Sequence, residues 1–441
     1  MFHFSDFSNV RLILIILCLC LFLLDDTRTG LILPSDDFPL LAIPRTYVVL
    51  AANLDTPDSI SNYGLLAPLT SFIWNRVLNS TPIVMLATQK PRRLTTQTEV
   101  SFARLVRQAG GRVHCISISD DSSSCETGVA LKPNLVGATL ITALQVSRIA
   151  SIALQYLNDD DVIVTTDADI WPMSRSFWKL QLSRSLKPEN EDFLVYNGPF
   201  LTSQLKKKDC NFLALTSLLA KTRTWRGILS FWVESLKYAP SPRKPVCNFI
   251  DDNPTLPWYN YKERSLFLSN KKSGQSSRNF GVSFPKLLQS FLHEGRKMLG
   301  FNWEDEINRN YGKSYKDSYL WHYDQILVSE MVLSSNITLL VNDDVRRFDK
   351  FGKQGTDSDF FVKVDGKSHE DFTDVHLDGV DEKNWGRLEA MWYFALGDES
   401  ISSDALDFFQ DVRSFYDKTR LAIINELKPS TTELGMQCDE I

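Results

Sequence analysis

The sequence has no Gly-x-Gly-x-x-Gly after its first strand-like run, and no Gly-x-x-x-x-Gly-Lys-Ser/Thr anywhere in its 441 residues. These absences exclude the dinucleotide dehydrogenases and the P-loop NTPases, which cradle phosphate on glycine-rich loops. Any phosphate must instead be held by side chains and a cation. No Cys-x-x-Cys pair suggests zinc. Positive charge is not in excess: 48 Lys and Arg face 54 Asp and Glu, for a net charge of −6. Nucleic-acid surfaces need a concentrated positive field, so no nucleic-acid partner is expected. The short basic run Lys206 to Lys208 reads as a solvated loop. There is no internal repeat, and histidine is scarce, with six in the chain.

What is present is ordinary for a folded protein, with 43% hydrophobic and 23% charged residues. The length suits two average domains or one large α/β domain with insertions. At the N-terminus, Leu12 to Leu24 is an unbroken apolar run, preceded by Arg11 and followed by Asp25 and Asp26. The run alone is shorter than the ~20 residues that span a bilayer. Counted from Phe7, with Arg11 snorkelling to the interface, it becomes a short span. A cleaved signal peptide is the rival reading, but no small-x-small cleavage signal follows Leu24. The flanking charges place residues 1–11 in the cytosol and the body across the membrane. The expectation is a signal anchor over 12–24 and a Pro-containing stem over 25–45. A catalytic domain then covers 46–395, and a helical extension covers 396–441.

Two N-glycosylation sequons, at Asn79 and Asn336, fit a lumenal body. Cys18 and Cys20 lie in the apolar run, leaving Cys115, Cys125, Cys210, Cys247 and Cys438 outside it. This odd set allows at most two bridges; Cys115 with Cys125 and Cys210 with Cys247 are candidates.

Along the body, Tyr47 to Ala52, Pro82 to Thr88 and Arg112 to Ile118 read as buried strands. Between them lie helical spacing over Leu65 to Leu78 and a helix opened by capping residues at Thr95 to Glu99 and stopped at Gly110 and Gly111. Leu140 to Leu157 reads as an amphipathic helix. Phe193 to Tyr196 is a further strand, and 238–282 are surface loops. Trp321 to Val332 is a helix, 342–380 a charged, turn-rich stretch, and Ser403 to Leu427 a final helix. Strands alternating with helices predict an α/β fold with a doubly wound, mostly parallel sheet, loop insertions and a C-terminal helix.

The organising stretch is Asp161 to Trp171. Val162 to Thr165 reads as a strand buried on both faces, with Asp167 and Asp169 arriving where it runs out. In an extended segment residues i and i+2 point the same way, so both carboxylates are expected to face one side. Two adjacent carboxylates repel unless a cation or a shared proton lies between them, and ligands of open α/β sheets bind at the carboxyl ends of strands. The pair therefore predicts a divalent-metal site that grips a phosphorylated ligand. Similar triplets at Asp159 to Asp161 and Asp357 to Asp359 lack this context.

Anchor, stem, lumenal α/β domain and strand-end Asp-x-Asp together resemble Golgi glycosyltransferases of the GT-A fold. Two short stretches are similar to the glycogenin-like family of retaining sugar transferases. Ser147, Arg148 and Ile149 precede Asp167, Ala168, Asp169 and Ile170, matching that family's small-Arg helix before Asp-Ala-Asp-Ile. The segment from His376 through Gly379 and Lys383 to Trp385 is similar to the family's His-x-x-Gly-x-x-Lys-Pro-Trp. It departs by one extra residue before Lys383 and by Asn384 in place of proline.

The resemblance implies Mn²⁺, or Mg²⁺, held by Asp167, Asp169 and His376, with His369 as a rival to His376. The donor would be a nucleoside-diphosphate sugar, a UDP-sugar by analogy, and the acceptor a glycan or glycoprotein. Arg148, Gly379 and Lys383 would meet the nucleotide or diphosphate, and Asp167 would also lie near the ribose. Topology alone places Asn53, past the first strand, near the base. Asp324 and Gln325, at the start of a helix, are the candidates on the acceptor side. An inverting enzyme would use Asp324 as a base, whereas a retaining one would set Gln325 beneath the sugar.

The resulting expectation is a metal-dependent, membrane-anchored glycosyltransferase of the Golgi or ER, with retention of configuration favoured. A catalytically inactive lumenal carbohydrate- or nucleotide-binding protein on the same fold is the alternative. A phosphosugar- or nucleotidyl-transferring enzyme is a third reading.

Overall fold

The computed structural model describes the compact unit Pro44–Ile441. Within it, the description leaves out residues 55–62, 89–95, 118–126, 131–137, 188–192, 196–200, 206–207, 214, 237–280, 300–322, 336, 338, 342–345, 352–363, 378–384, 398–401 and 428–441. The expected anchor, the stem up to residue 43, the 238–280 part of the expected loops, Asn336 and the Asp357 to Asp359 triplet lie outside the described residues. Among the described residues no helix is long and apolar enough to cross a membrane.

Strand β1 (Thr46–Asn53) sits at the centre of the molecule because it alternates between two apolar faces. Val48, Leu50 and Ala52 enter one hydrophobic cluster, and Tyr47 and Val49 enter another. On one side of β1 lies β2 (Thr81–Thr88), followed by β3 (Arg112–Ser117) and β4 (Thr127–Ala130), all parallel. On the other side lies β5 (Val162–Thr165), also parallel to β1. The chain thus builds outward from β1 in one direction and returns to build in the other. That reversal makes the β1/β5 boundary the switch point where ligands of such sheets bind.

Beyond β5 the eight-stranded sheet continues through β10 (Leu218–Lys221), β7 (Phe193–Val195) and β11 (Leu339–Val341). Strand β10 is antiparallel to both of its neighbours, so β7 and β11 regain the direction of β1. A two-stranded ribbon, β8 (Leu201–Leu205) with β9 (Lys208–Phe212), and a small sheet complete the strands. The small sheet is ordered β12 (Arg347–Phe351), β13 (Asp374–Leu377), β6 (Ile170–Pro172).

Helices cover both faces of the large sheet, so the fold is α/β and doubly wound. One face carries α1 (Leu65–Leu78), α2 (Thr96–Gln108), α4 (Arg175–Leu186), α8 (Trp385–Leu396) and α9 (Ser403–Leu427). The other carries α3 (Ala138–Ala150), α5 (Thr222–Leu236), α6 (Phe284–Leu299) and α7 (Tyr323–Ser334). Helix α9, the expected extension, packs on α1 and α2 and adds Phe409, Val412 and Tyr416 to the core.

Helix α1 ends where Asn79 turns left-handed (φ 51°) and donates its N–H to Asn75 O at 2.8 Å. Helix α2 ends at Gly110 (φ +77°), where a Cβ would approach the Asn75 side chain to 2.7 Å. Only glycine meets both conditions, a positive φ and a close approach.

One expectation needs correction. The helix expected over Leu140 to Leu157 stops at Ala150, turns through a short 3-10 segment (Ser151–Ala153) and is buried almost throughout. It is wedged between the sheet and helices α6 and α7, so tertiary contact on both sides replaces the amphipathic pattern. The charged, turn-rich stretch 342–380 also contributes β12 and β13, and β13 proves decisive for the site.

Candidate active site

The site is built at the carboxyl ends of β1 and β5. Thr166, just past β5, still donates its N–H to Val49 O at 3.0 Å, so the strand end stays fastened to β1. The backbone then turns, with Ile170 N–H reaching Asp167 O at 3.2 Å. This corrects the expectation that an extended backbone presents both carboxylates side by side. The strand ends at Thr165, and the turn sends Asp167 and Asp169 to different partners.

The turn is held by buried polar groups. Thr70 on α1 donates its hydroxyl to Ala168 O, and the Trp171 indole N–H donates to Thr70 Oγ1 at 2.8 Å. The Trp74 indole N–H donates to Ile170 O at 3.3 Å. Strand β13 then pairs antiparallel with β6, setting His376 opposite Ile170, and Leu377 N–H donates to Asp169 O at 2.7 Å. As a result His376 Nε2 lies 3.3 Å from Asp169 Oδ2. His369, the rival, is elsewhere: a Cβ on Gly397 would lie 2.6 Å from its ring, and its Nε2 is 3.7 Å from Glu370 Oε1.

The other oxygen of Asp169, Oδ1, is buried with no hydrogen-bond partner. Burial raises the pKa of this carboxyl, the nearby Asp167 charge adds to the rise, and the His376 hydrogen bond opposes it. A buried oxygen of this kind lacks a donor or a cation.

Asp167 goes to Arg148 at the end of α3. The guanidinium bonds Asp167 Oδ1 through Nη1, which also donates to Thr166 O at 3.1 Å; Nη2 donates to Asp324 Oδ2 at 2.5 Å. The resemblance sets Arg148 against the nucleotide or diphosphate, but in the structure its guanidinium is taken by these two carboxylates. Asp159, the acidic residue nearer to Arg148 in sequence, pairs with Arg226 at 2.7 Å. Asp324 is fully buried on α7. Its pKa is raised by burial, with Asp167 adding and Arg148 opposing. As placed, it is not the acceptor-side base expected of it, because no acceptor hydroxyl can reach a carboxylate enclosed by its own ion pair.

Gln325 follows at the same helix start, half-buried, with its Oε1 enclosed and without a partner. Asn53 lies 7% exposed at the end of β1, beside Ala87 of β2. Gly379 and Lys383 lie outside the described residues. The triplet Asp159 to Asp161 is structural: Asp160 pairs with Arg223 at 2.9 Å, and Asp161 accepts the N–H groups of Arg45 and Asn158.

Sequence reasoning missed Tyr63, which precedes α1. Its hydroxyl pKa is well above the ordinary phenol value, through burial first and then the charges of Asp169 and Asp167. It therefore keeps its proton in the presence of the acidic pair. A lone tyrosine before a helix carries no local signal of this. Glu370 was missed too. Its carboxylate accepts from the Ser174 hydroxyl (2.7 Å), the Ser176 hydroxyl (2.7 Å) and the Arg175 N–H (2.9 Å), capping α4 just upstream of β13.

Among the described residues no cluster of three His, Cys, Asp or Glu side chains is arranged to hold a metal ion, because Asp167 faces Arg148. Asp169 and His376 nonetheless fit one. They offer a carboxylate with an unpartnered buried oxygen beside an imidazole, a donor set suited to Mn²⁺.

Neither a family model nor a curated protein matches the chain. Solved structures do match. One is a 4-diphosphocytidyl-2C-methyl-D-erythritol synthase, 14% identical, covering 45% of this chain and 87% of that one, with a TM-score of 0.25. Another is the 2-C-methyl-D-erythritol 4-phosphate cytidylyltransferase of Francisella tularensis, 10% identical, covering 45% and 82%, with a TM-score of 0.23. At these scores the likeness carries no functional argument, and the reading rests on the site itself.

Proposed function

We propose that this protein is a divalent-metal-dependent glycosyltransferase using a nucleoside-diphosphate sugar, with UDP-sugar the first donor to try. One observation carries the reading. His376 and Asp169, remote in sequence, meet at the switch point of a doubly wound sheet, beside an unpartnered carboxylate oxygen.

Asp169 and His376 would hold the cation, Mn²⁺ or Mg²⁺, and Asp167 keeps an exposed edge from which to join them. A bound cation supplies charge stabilisation for the departing diphosphate. In the transfer, the bond from the anomeric carbon to the diphosphate breaks, a bond to the acceptor oxygen forms, and the acceptor's proton passes to an oxygen of the departing diphosphate. Tyr63, kept protonated by burial and by the charges of Asp169 and Asp167, adds a neutral hydroxyl near the acidic site. Asp324 is enclosed by Arg148, which supports a retaining mechanism without an enzyme base at that position.

The disulfide at Cys115, the exposed Asn79 of the first sequon and the apolar run near the N-terminus support a lumenal, membrane-anchored setting in the Golgi or ER, with a glycan or glycoprotein as acceptor. The short motifs shared with the glycogenin-like family support the same reading.

The test is a panel of nucleotide sugars with Mn²⁺, read as diphosphate release. Release from one donor, abolished by chelation, is the expected result; none from any donor rejects the enzyme. A non-catalytic lumenal binding protein is the second reading, favoured by the Asp167–Arg148 ion pair that occupies one expected ligand. Binding of a nucleotide sugar without its breakdown would select it.

A further inference from the structure

Resting on that reading, we infer that Arg148 is a positioning residue. It locks the Asp167 turn to the start of α7, instead of binding the donor's phosphates. The side chain is 4% exposed. A guanidinium carries five N–H donors in a rigid fork. Nε faces Gln145 O at 3.4 Å, Nη1 serves both Thr166 O and Asp167 Oδ1, and Nη2 serves Asp324 Oδ2. At most one N–H is left for anything else. A diphosphate needs a fork presented to it, and this fork is already filled from three directions.

The geometry assigns the arginine a different task. Its guanidinium joins the end of α3, the turn after β5 and the first residue pair of α7. Asp324 is fully buried, while Asp167 keeps 32% of its side chain exposed. The lock therefore has one anchored end and one working end. It fixes the position of Asp167 on the turn after β5 and leaves part of its side chain exposed, while Asp324 sits in the interior and Gln325 follows it on the same helix. A lysine, with one compact ammonium, cannot bridge two carboxylates and a carbonyl in fixed directions.

The test compares four proteins: wild type, Arg148→Lys, Asp324→Asn and the double variant. Mn²⁺ affinity is read by electron paramagnetic resonance, UDP affinity at saturating Mn²⁺ by calorimetry, and melting temperature on the same samples. The apolar pair Arg148→Met with Asp324→Leu keeps the site assayable should a lone buried charge unfold the single variants.

The expected result is that both single changes weaken Mn²⁺ binding by a similar factor of about 10- to 100-fold, the usual loss when a ligand's supporting partner is removed. The double variant should be no worse than either single change, and UDP affinity at saturating Mn²⁺ should be unchanged. If Arg148→Lys weakens UDP binding at saturating Mn²⁺, Asp324→Asn does not, and the losses add, Arg148 is a nucleotide contact and the inference is overturned. Wild-type protein that binds neither Mn²⁺ nor UDP overturns the glycosyltransferase reading alone. The lock is then judged on melting temperatures: non-additive losses support it and additive losses overturn it.

Discussion

His376 Nε2 stands 3.3 Å from Asp169 Oδ2 because β13 runs antiparallel to β6 and sets His376 opposite Ile170. The contact joins a histidine near the C-terminal helices to the turn after the central strand. It supplies the first prediction. Asp169→Asn should abolish metal-dependent turnover while the fold survives. Metal-free Asp169→Asn should melt higher than wild type at neutral pH: burial raises the folded-state pKa of this carboxyl, so its ionisation opposes folding above the unfolded pKa. Wild type should gain about 2.7 kcal/mol from Mn²⁺ at a hundredfold excess over Kd, and Asp169→Asn should gain little. His376→Ala should lose the metal response, and His369→Ala should keep it. Thermal melting with and without Mn²⁺ reads all three. An unchanged Mn²⁺ shift in Asp169→Asn would place the site elsewhere.

The polar support beneath the turn is the next target. Thr70→Val keeps the volume but removes the hydroxyl that serves Ala168 O and receives the Trp171 indole N–H. Two buried groups lose their partner, at a cost of about 1–3 kcal/mol for each one left unsatisfied. Urea denaturation should show the loss, and turnover should fall with it. A Thr70→Val protein as stable as wild type would mean that the turn is held by other contacts.

Acid sensitivity should trace to His114. It is fully buried on β3, its Nε2 lies 2.9 Å from the Tyr156 hydroxyl, and Arg112 sits over the Tyr156 ring. Burial, with Arg112 adding, lowers its pKa from 6.5 to about 4. Below pH 6.5 the unfolded chain takes up a proton that the folded chain refuses, so stability falls until about pH 4. The loss over that window is on the order of 3 kcal/mol. His114→Gln should flatten the slope of stability against pH between those values. An equal slope in the variant would assign the acid sensitivity to other groups.

Glu370→Ala should loosen the route to β13. Four hydrogen bonds at the α4 N-terminus lose their acceptor. The carboxylate is partly exposed, so the stability cost should be modest, about 1 kcal/mol. Mn²⁺ affinity should fall as His376 loses its fixed approach. Unchanged affinity would show that the β6–β13 pairing alone positions the histidine.

Topology can be read at Asn79. This residue is exposed at the end of α1 in a left-handed conformation. Protein made in eukaryotic cells should shift in mobility after glycosidase treatment, and Asn79→Gly, which keeps the left-handed cap, should remove the part of the shift due to that site. No shift, with a body that protease reaches from the cytosolic side of intact microsomes, would refute a lumenal body.

Local pattern was enough for much of the fold. β1, β2 and β5 are largely apolar runs, β3 alternates polar and apolar residues, and α1 and α9 repeat with helical period, so each could be located from its own residues. Asp167 and Asp169 could be singled out for the same reason, since a buried strand announces where its carboxyl end falls. Tertiary structure decided the rest. The sequence could not choose between His376 and His369, because β13 hides its burial. Asp374 within it is fully buried yet reads as polar, and the fork of Arg347, at 2.6 and 2.9 Å, makes that burial tolerable. Nor could it show that Arg148 would turn inward to two carboxylates, enclosing Asp324 and taking Asp167. Local periodicity encodes which face of an element is dry. Which charge meets which across the core depends on elements distant in sequence, and only their packing sets it.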